Sequence, residues 1–151
     1  MTRPPASSAT PRAAGHPGGG GAASAMRRVL ALDAVGMAVV GVAYLAAAAP
    51  LGRLLGPGTF TVAAVGAAML VLGAGTAVVA RLDPPPAAAV RGVIACGALW
   101  IALSLAALAF GWLDLTTAGV VWTWLQIAPV AVFASWQTLT LRKYRPTGTA
   151  E

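Results

Sequence analysis

The stretch FTVAAVGAAMLVLGAGTAVVA at residues 60–80 contains no charged side chain and decides the fold class. In a helix that rises about 1.5 Å per residue, a run of this length spans about 30 Å, the thickness of a bilayer's hydrocarbon core. Similar runs occupy residues 29–49, 92–113 and 118–141, and Asp33 is the one charged residue within them. None of the runs alternates as a barrel strand does. The sequence therefore predicts an all-α, polytopic membrane protein built as a four-transmembrane-helix bundle.

The composition of the whole chain agrees with this interpretation. Of its 151 residues, 58% are hydrophobic and 9% are charged, whereas about 25% are charged in an ordinary soluble domain. This number of charged residues is too small to cover the surface of a soluble protein. We therefore expect the lipid bilayer to be the partner of the apolar surface. The net charge of +6 does not indicate nucleic-acid binding, because the basic residues stand at the edges of the apolar runs.

The chain divides into a tail, a membrane domain and a short C-terminal tail. Residues 1–26 are rich in Pro, Gly and Ala, and such a segment is expected to be disordered. Residues 27–145 form the membrane domain, and residues 146–151 follow it. Met26, with Arg27 and Arg28 after it, is an alternative start of the chain. The same residues resemble the beginning of a signal peptide, but the length of the first run and its Asp33 favour an uncleaved anchor.

The basic residues predict the orientation. Nine of the ten Lys and Arg residues fall on one side of the four spans, and Arg53 alone falls on the other. We expect the protein to lie in the plasma membrane. The positive-inside rule then places both of its termini in the cytoplasm. Aromatic residues are expected at the two interfaces: Tyr44, Trp112, Trp122 and Trp124 on the outer side, and Trp136 and Tyr144 on the inner side.

A few polar side chains lie inside the predicted spans, where each needs a partner or a purpose. Helix rise places four of them in one layer near the cytoplasmic side and two near mid-membrane, with Trp100 one turn below the latter. The first layer contains Asp33, Thr76, Cys96 and Gln137, and the second contains Ser104 and Gln126.

Two interpretations of Asp33 stay open. As a carboxyl group in lipid, it is a candidate coupling acid for proton transport. Alternatively it is structural, as a hydrogen-bond partner of Gln137 or Thr76, or as the ion-pair partner of an arginine that reaches in from the interface. The arginines in range are Arg28, Arg91 and Arg142.

The remaining polar residues have structural interpretations as well. Ser104 and Gln126 are expected to hydrogen-bond across the third and fourth spans. Trp100 is expected to pack, although it is also a candidate ligand platform, and its indole N–H needs an acceptor. One stripe of small and polar residues per span should face the bundle interior. In chain order these stripes are Asp33, Gly36, Val40, Ala43 and Ala47; Gly66, Met69, Gly73, Thr76 and Ala80; Gly97, Trp100, Ser104, Ala107 and Gly111; and Gly119, Thr123, Gln126, Val130, Phe133 and Gln137.

The sequence holds no recognisable catalytic or metal-binding group. Cys96 is the single cysteine, so a CxxC redox motif is excluded, and His16, the single histidine, lies in the tail. We therefore predict no cofactor, no metal and no enzymatic activity. The expected function is that of an accessory or structural membrane component, alone as a homo-oligomer or with another membrane protein.

The arrangement resembles small uncharacterised four-helix integral membrane proteins of high-GC, actinobacterial-type bacteria. The resemblance covers about residues 27–145, and it implies the fold but no catalytic residues. It is carried by the Arg27-Arg28 pair, Leu32-Asp33-Ala34, Trp100, the LTTAG sequence at 115–119 and Gln126.

The chain is also similar, more weakly, to the small multidrug-resistance transporters, which are short four-helix proteins with one acid in the first helix. Asp33 stands in that role here, and Ala98-Leu99-Trp100 matches the tryptophan of their third helix. The family's acid is a Glu near mid-membrane, whereas Asp33 lies near the cytoplasmic edge. This resemblance implies the alternative function, a proton-coupled transporter that acts as a homodimer with Asp33 as its coupling acid.

Overall fold

The structure, a computed structural model, describes residues 19–143 and is helical over most of them. Four of its helices are long and apolar enough to cross a membrane, and the described residues form no strand. This confirms the prediction of an all-α protein with four candidate membrane spans. The helices are α1 (Gly19–Ala46), α2 (Ala48–Leu55), α3 (Gly58–Arg81), α4 (Ala87–Phe110) and α5 (Thr117–Lys143).

Helix α1 begins ten residues before the predicted start at residue 29. Its first turns contain Ala22, Ala23 and Ala25, and alanine has the highest helix propensity. Met26 is fully buried in a cluster with Leu30 and Val90, so packing also stabilises this extension. The predicted disordered tail is therefore helical from Gly19 onward. Residues 1–18, with the rest of that prediction, and the predicted tail 146–151 lie outside the described residues.

Helix α2 occupies the connection between the first two long helices, α1 and α3, in a stretch that contains several Pro and Gly residues. Pro50 stands in the first turn of α2, where its missing N–H costs no intrahelical hydrogen bond. One face of α2, with Gly52 and Leu55, is buried, while Arg53 and Leu54 are exposed. A short amphipathic helix thus lies between the first two spans.

Helices α1 and α3 pack closely because glycines face each other along their contact. A Cβ atom at Gly66 would lie 2.8 Å from the Cβ of Tyr44 and 3.0 Å from the carbonyl oxygen of Gly41. A Cβ atom at Gly73 would lie 3.1 Å from the Cβ of Met37. Small residues at such positions let two membrane helices approach until their backbones touch.

The predicted interior stripes hold for three of the four spans. All five predicted residues of the 60–80 span are buried in α3. The stripes on α4 and α5 also face inward, apart from Gly111, which is exposed. The stripe of the first span is wrong at Gly36 and Ala43, which are exposed, whereas Ala34, Gly41 and Tyr44 are buried there. Helix α1 has small apolar residues on every side, so its sequence shows no distinct face.

Helix α4 is loosely attached to the bundle. Val90 and Ala107 are its buried residues. It packs along α5 and barely touches α3. A lateral gap therefore opens between α3 and α4, and through it the bundle interior faces the space that lipid would occupy.

The two ends of the bundle differ in charge. One end is rich in arginine. There Arg27 forms an ion pair with Asp83, 2.8 Å from Nη1 to Oδ2, and its Nε donates to the carbonyl oxygen of Ala80 at 3.2 Å. Among the described residues this is the one ion pair. The same end carries Arg28, Arg81, Arg91 and Arg142, whereas the opposite end carries Arg53.

Hydrogen bonds from Thr116 hold the opposite end together. The backbone N–H of Thr116 donates to the Leu55 carbonyl at 2.9 Å, and its hydroxyl donates to the Leu54 carbonyl at 2.7 Å. Carbonyls at a helix C-terminus lack intrahelical donors, so Thr116 satisfies two of them in α2. Its hydroxyl also accepts from the N–H of Gly119 at 3.1 Å. Thr116 is thus the N-cap of α5.

Candidate functional site

Asp33 of α1 meets Gln137 of α5 near the arginine-rich end. The Gln137 amide nitrogen donates to Asp33 Oδ2 at 2.8 Å, and Gln137 is 2% exposed. This is one of the structural partners that the sequence offered for Asp33. The arginines considered as alternatives form no ion pair with Asp33 in the described part of the chain.

A second polar cluster joins the same two helices near the opposite end. Tyr44, 5% exposed, points into the bundle, and its hydroxyl oxygen accepts from the indole N–H of Trp122 and from the amide of Gln126. Tyr44 is therefore an interior residue and not part of an interfacial belt. Trp112, Trp124 and Trp136 are half exposed, and Tyr144 lies outside the described residues.

The two clusters share one register. Asp33 and Tyr44 are 11 residues apart on α1, and Gln126 and Gln137 are 11 residues apart on α5. Eleven residues make three turns of about 3.7 residues, so each pair lies on one face of its helix, about 16 Å apart along the axis. In two antiparallel helices, equal spacing allows both contacts to form at once.

Two other predicted polar residues do not connect helices. Thr76 donates to the carbonyl of Leu72 at 3.0 Å, and Ser104 donates to the carbonyl of Trp100 at 2.8 Å, each four residues back on its own helix. The predicted hydrogen bond between Ser104 and Gln126 is therefore wrong. Serine and threonine satisfy their hydroxyls this way when a helix interior offers no nearer acceptor, and Gln126 reaches Tyr44 instead.

A cavity of about 360 Å³, which we call the Asp33 cavity, lies among the four long helices. Its wall is mostly apolar and includes Met37, Met69 and Phe133, with the Asp33–Gln137 pair on one side. Exposed Val71 and Cys96 also line it, which shows that the cavity reaches the gap between α3 and α4.

A second cavity of about 340 Å³, which we call the Tyr44 cavity, lies toward the opposite end. Tyr44, Trp122 and Gln126 line it, together with the hydroxyls of Ser104 and Thr123. Those two hydroxyls donate to carbonyls of their own helices. This cavity has the more aromatic wall of the two.

Trp100 lies between the two cavities and lines both. Its indole nitrogen Nε1 is buried and has no hydrogen-bond partner, the single such buried side-chain nitrogen or oxygen in the described part of the chain. An indole N–H can only donate, and a buried donor without an acceptor is costly. The acceptor that the sequence analysis required for Trp100 is not supplied by the helices.

Tyr44 is the residue that sequence reasoning missed. It was assigned to the interface because aromatic residues are common there. The equal spacing of Asp33 to Tyr44 and of Gln126 to Gln137 was visible in the sequence, and it would have predicted that α1 and α5 meet at both levels.

The polar side chains of the two clusters hydrogen-bond to one another across α1 and α5. No three His, Cys, Asp or Glu side chains come together at a metal-binding distance anywhere in residues 19–143. Asp33 is the one acid in the Asp33 cavity, and its hydrogen-bond partner is an amide, not a base.

No family model, curated protein or solved structure matches this chain.

Proposed function

We propose that this protein is a non-enzymatic accessory or structural component of a bacterial plasma membrane, with both termini in the cytoplasm. The observation that carries the proposal is the use of its intramembrane polar groups. Asp33 with Gln137 and Tyr44 with Gln126 join the first and last spans, as polar residues that stabilise membrane bundles do.

The arginine distribution supports the orientation. Five arginines lie at the end of the bundle where α1 and α4 begin and α3 and α5 end, and Arg53 alone lies at the other. Lysine and arginine are enriched on the cytoplasmic side of membrane proteins. Because the spans are even in number, both termini then share that side.

Paired substitutions of Asp33 test the structural role. Asp33→Asn keeps an oxygen that accepts from Gln137, so we expect thermal stability in detergent within about 0.5 kcal/mol of the wild type. Asp33→Leu is similar in size but leaves the buried Gln137 amide unpaired, which should cost about 1–3 kcal/mol. Equal destabilisation by both variants would show that the carboxyl group itself is needed, and would contradict the proposal.

The accessory role is tested by the size of the protein in its native membrane. We expect mild detergent to extract a complex larger than the purified chain in the same detergent. Native electrophoresis followed by mass spectrometry should find either further copies of this chain or a different membrane protein in constant ratio. Extraction solely as a monomer would contradict an accessory role.

A proton-coupled transporter, acting as a homodimer, is the second candidate. It is favoured by one observation: Asp33 lines a cavity that opens between α3 and α4. A coupling acid exchanges its proton for a cationic substrate, so lipid-soluble amines should release protons from purified protein in weakly buffered solution. Asp33→Asn should abolish that release. Absence of release across a broad panel of such amines would exclude this candidate.

A further inference from the structure

We propose that the Asp33 cavity binds a membrane-soluble molecule whose polar end is a hydroxylated aromatic ring, that is, a phenol or quinol with an apolar tail. This goes beyond the structural role proposed above, because Trp100 takes part in neither of the polar contacts between α1 and α5. The proposal follows from three features of the cavity: its unpaired donor, its single acid and its opening.

The unpaired donor favours a ligand with an acceptor atom. Trp100 Nε1 is buried without a partner, and the Trp100 side chain lines the cavity. The nearest hydroxyl along its own helix, that of Ser104, donates to the Trp100 backbone and leaves the indole unsatisfied. A ligand oxygen in the cavity would accept from this N–H, and it would gain the full value of a hydrogen bond sheltered from water.

The acid requires a ligand with a donor. Asp33 receives a single side-chain hydrogen bond, from Gln137 to Oδ2, and a carboxyl group has room for more. Two other polar side chains on the wall already use their donors. The Gln137 amide donates to Asp33, and the Thr76 hydroxyl donates to the Leu72 carbonyl. A hydroxyl group is the simplest group that both donates to Asp33 and accepts from Trp100.

The opening and the rest of the wall define the body of the ligand. The cavity reaches the gap between α3 and α4, where Val71 and Cys96 are exposed, so a ligand enters from the hydrocarbon phase. Phe133 and the indole of Trp100 offer aromatic surface, and Met37 and Met69 offer adaptable apolar surface. A volume of about 360 Å³ lies in the range of small-molecule sites, about 300–1,000 Å³.

Cys96 provides the measurement, since it lines the cavity and is the single cysteine of the chain. The full chain in detergent is treated with a lipid-soluble maleimide, and the labelling rate is followed in the presence of three probes. The first is 4-decylphenol, the second is 4-decylanisole, which accepts but does not donate, and the third is decylbenzene, which does neither. We expect protection in that order, with at least tenfold between the first and the last.

Trp100→Phe is the matched variant, because it keeps an aromatic ring and removes only the N–H group and part of the indole. We expect it to weaken protection by 4-decylphenol about tenfold without lowering thermal stability, since the lost donor had no partner. Trp124→Phe is the control; Trp124 is 55% exposed on α5 and lines neither cavity. It should leave protection unchanged.

Several results would overturn the proposal. One is equal protection of the wild type by decylbenzene and 4-decylphenol, and another is full protection of Trp100→Phe by 4-decylphenol. Stronger protection by decyltrimethylammonium than by 4-decylphenol would also overturn it, and would favour the transporter candidate instead. The structural role of the Asp33–Gln137 pair is measured separately by stability, so the two proposals fail independently.

Discussion

Tyr44 is the side chain on which the packing of the first span against the last depends most. Its hydroxyl oxygen receives hydrogen bonds from Trp122 and Gln126, and its Cβ faces the glycine surface of α3 at Gly66. One residue thus contacts two neighbouring helices, through its Cβ on one side and its hydroxyl oxygen on the other. Removing only the oxygen separates these two roles.

Tyr44→Phe should destabilise the protein by about 1 kcal/mol, a typical value for a side-chain hydrogen bond between membrane helices. Thermal or denaturant unfolding in detergent measures the change. Gln126→Leu serves in a double-mutant cycle, because the two substitutions remove the same contact and their effects should not add. Fully additive losses would show that the hydroxyl and the amide do not interact.

Thr116→Val should cost about 1 kcal/mol, since it removes the N-cap of α5 and the hydroxyl bond to the Leu54 carbonyl. Thr117→Val is the matched control, because Thr117 is exposed and its hydroxyl makes no hydrogen bond in the described structure. Unfolding of the two variants under the same conditions decides between them. A larger loss for Thr117→Val than for Thr116→Val would show that Thr116 is not the N-cap of α5.

At this scale the sequence located the polar residues but not all their partners. The Asp33–Gln137 contact was among the predicted alternatives, since both residues fall at one depth. Ser104 was paired with Gln126 for the same reason, yet a serine hydroxyl inside a helix can always reach the carbonyl four residues back. Depth alone does not distinguish these cases, because direction around the helix also matters.

Among the elements, α3 is the span whose sequence best predicts its packing. Its buried residues recur every three or four positions, and Gly66, Gly73 and Thr76 were placed correctly among them. The predicted stripe of the first span was wrong at Gly36 and Ala43, which are exposed. Helix α2 was missed, because Pro50 and Gly52 usually interrupt helices, although a first-turn proline does not.

Gly66→Ala should destabilise the α1–α3 contact by about 1–3 kcal/mol, the usual cost of forcing a methyl group into a filled site. The new Cβ would lie 2.8 Å from the Cβ of Tyr44. Gly75→Ala on the same helix is the control, because a Cβ there meets no atom within 4 Å, and its higher helix propensity should leave stability equal or slightly raised. Equal losses in unfolding experiments would show that α1 and α3 are not in close contact.

For the whole molecule, the sequence predicted the number and approximate limits of the spans. A run of about 20 apolar residues has few alternatives to a transmembrane helix. The hydropathy of the sequence did not predict how the spans associate, because hydropathy carries no information about which helix faces meet. The loose attachment of α4, and hence the opening between α3 and α4, depends on three-dimensional packing that no local pattern records.

The proposed orientation is tested by cysteine accessibility in intact cells. Starting from Cys96→Ala, the variants Leu54→Cys and Leu82→Cys place single thiols at exposed positions on opposite ends of the bundle. A membrane-impermeant maleimide should label the first in intact cells and the second only after the cells are permeabilised. The reverse pattern would place both termini outside the cytoplasm.

The contact between Asp33 and Gln137 has a consequence for biosynthesis, because these residues are 104 positions apart. A ribosome that adds about 5–20 residues per second takes roughly 5 to 20 seconds to reach the glutamine after the aspartate has been made. During that interval the nascent chain holds an acid without its eventual neighbour. The last span therefore completes the assembly, and a polypeptide that stops before it should be a substrate for membrane proteases.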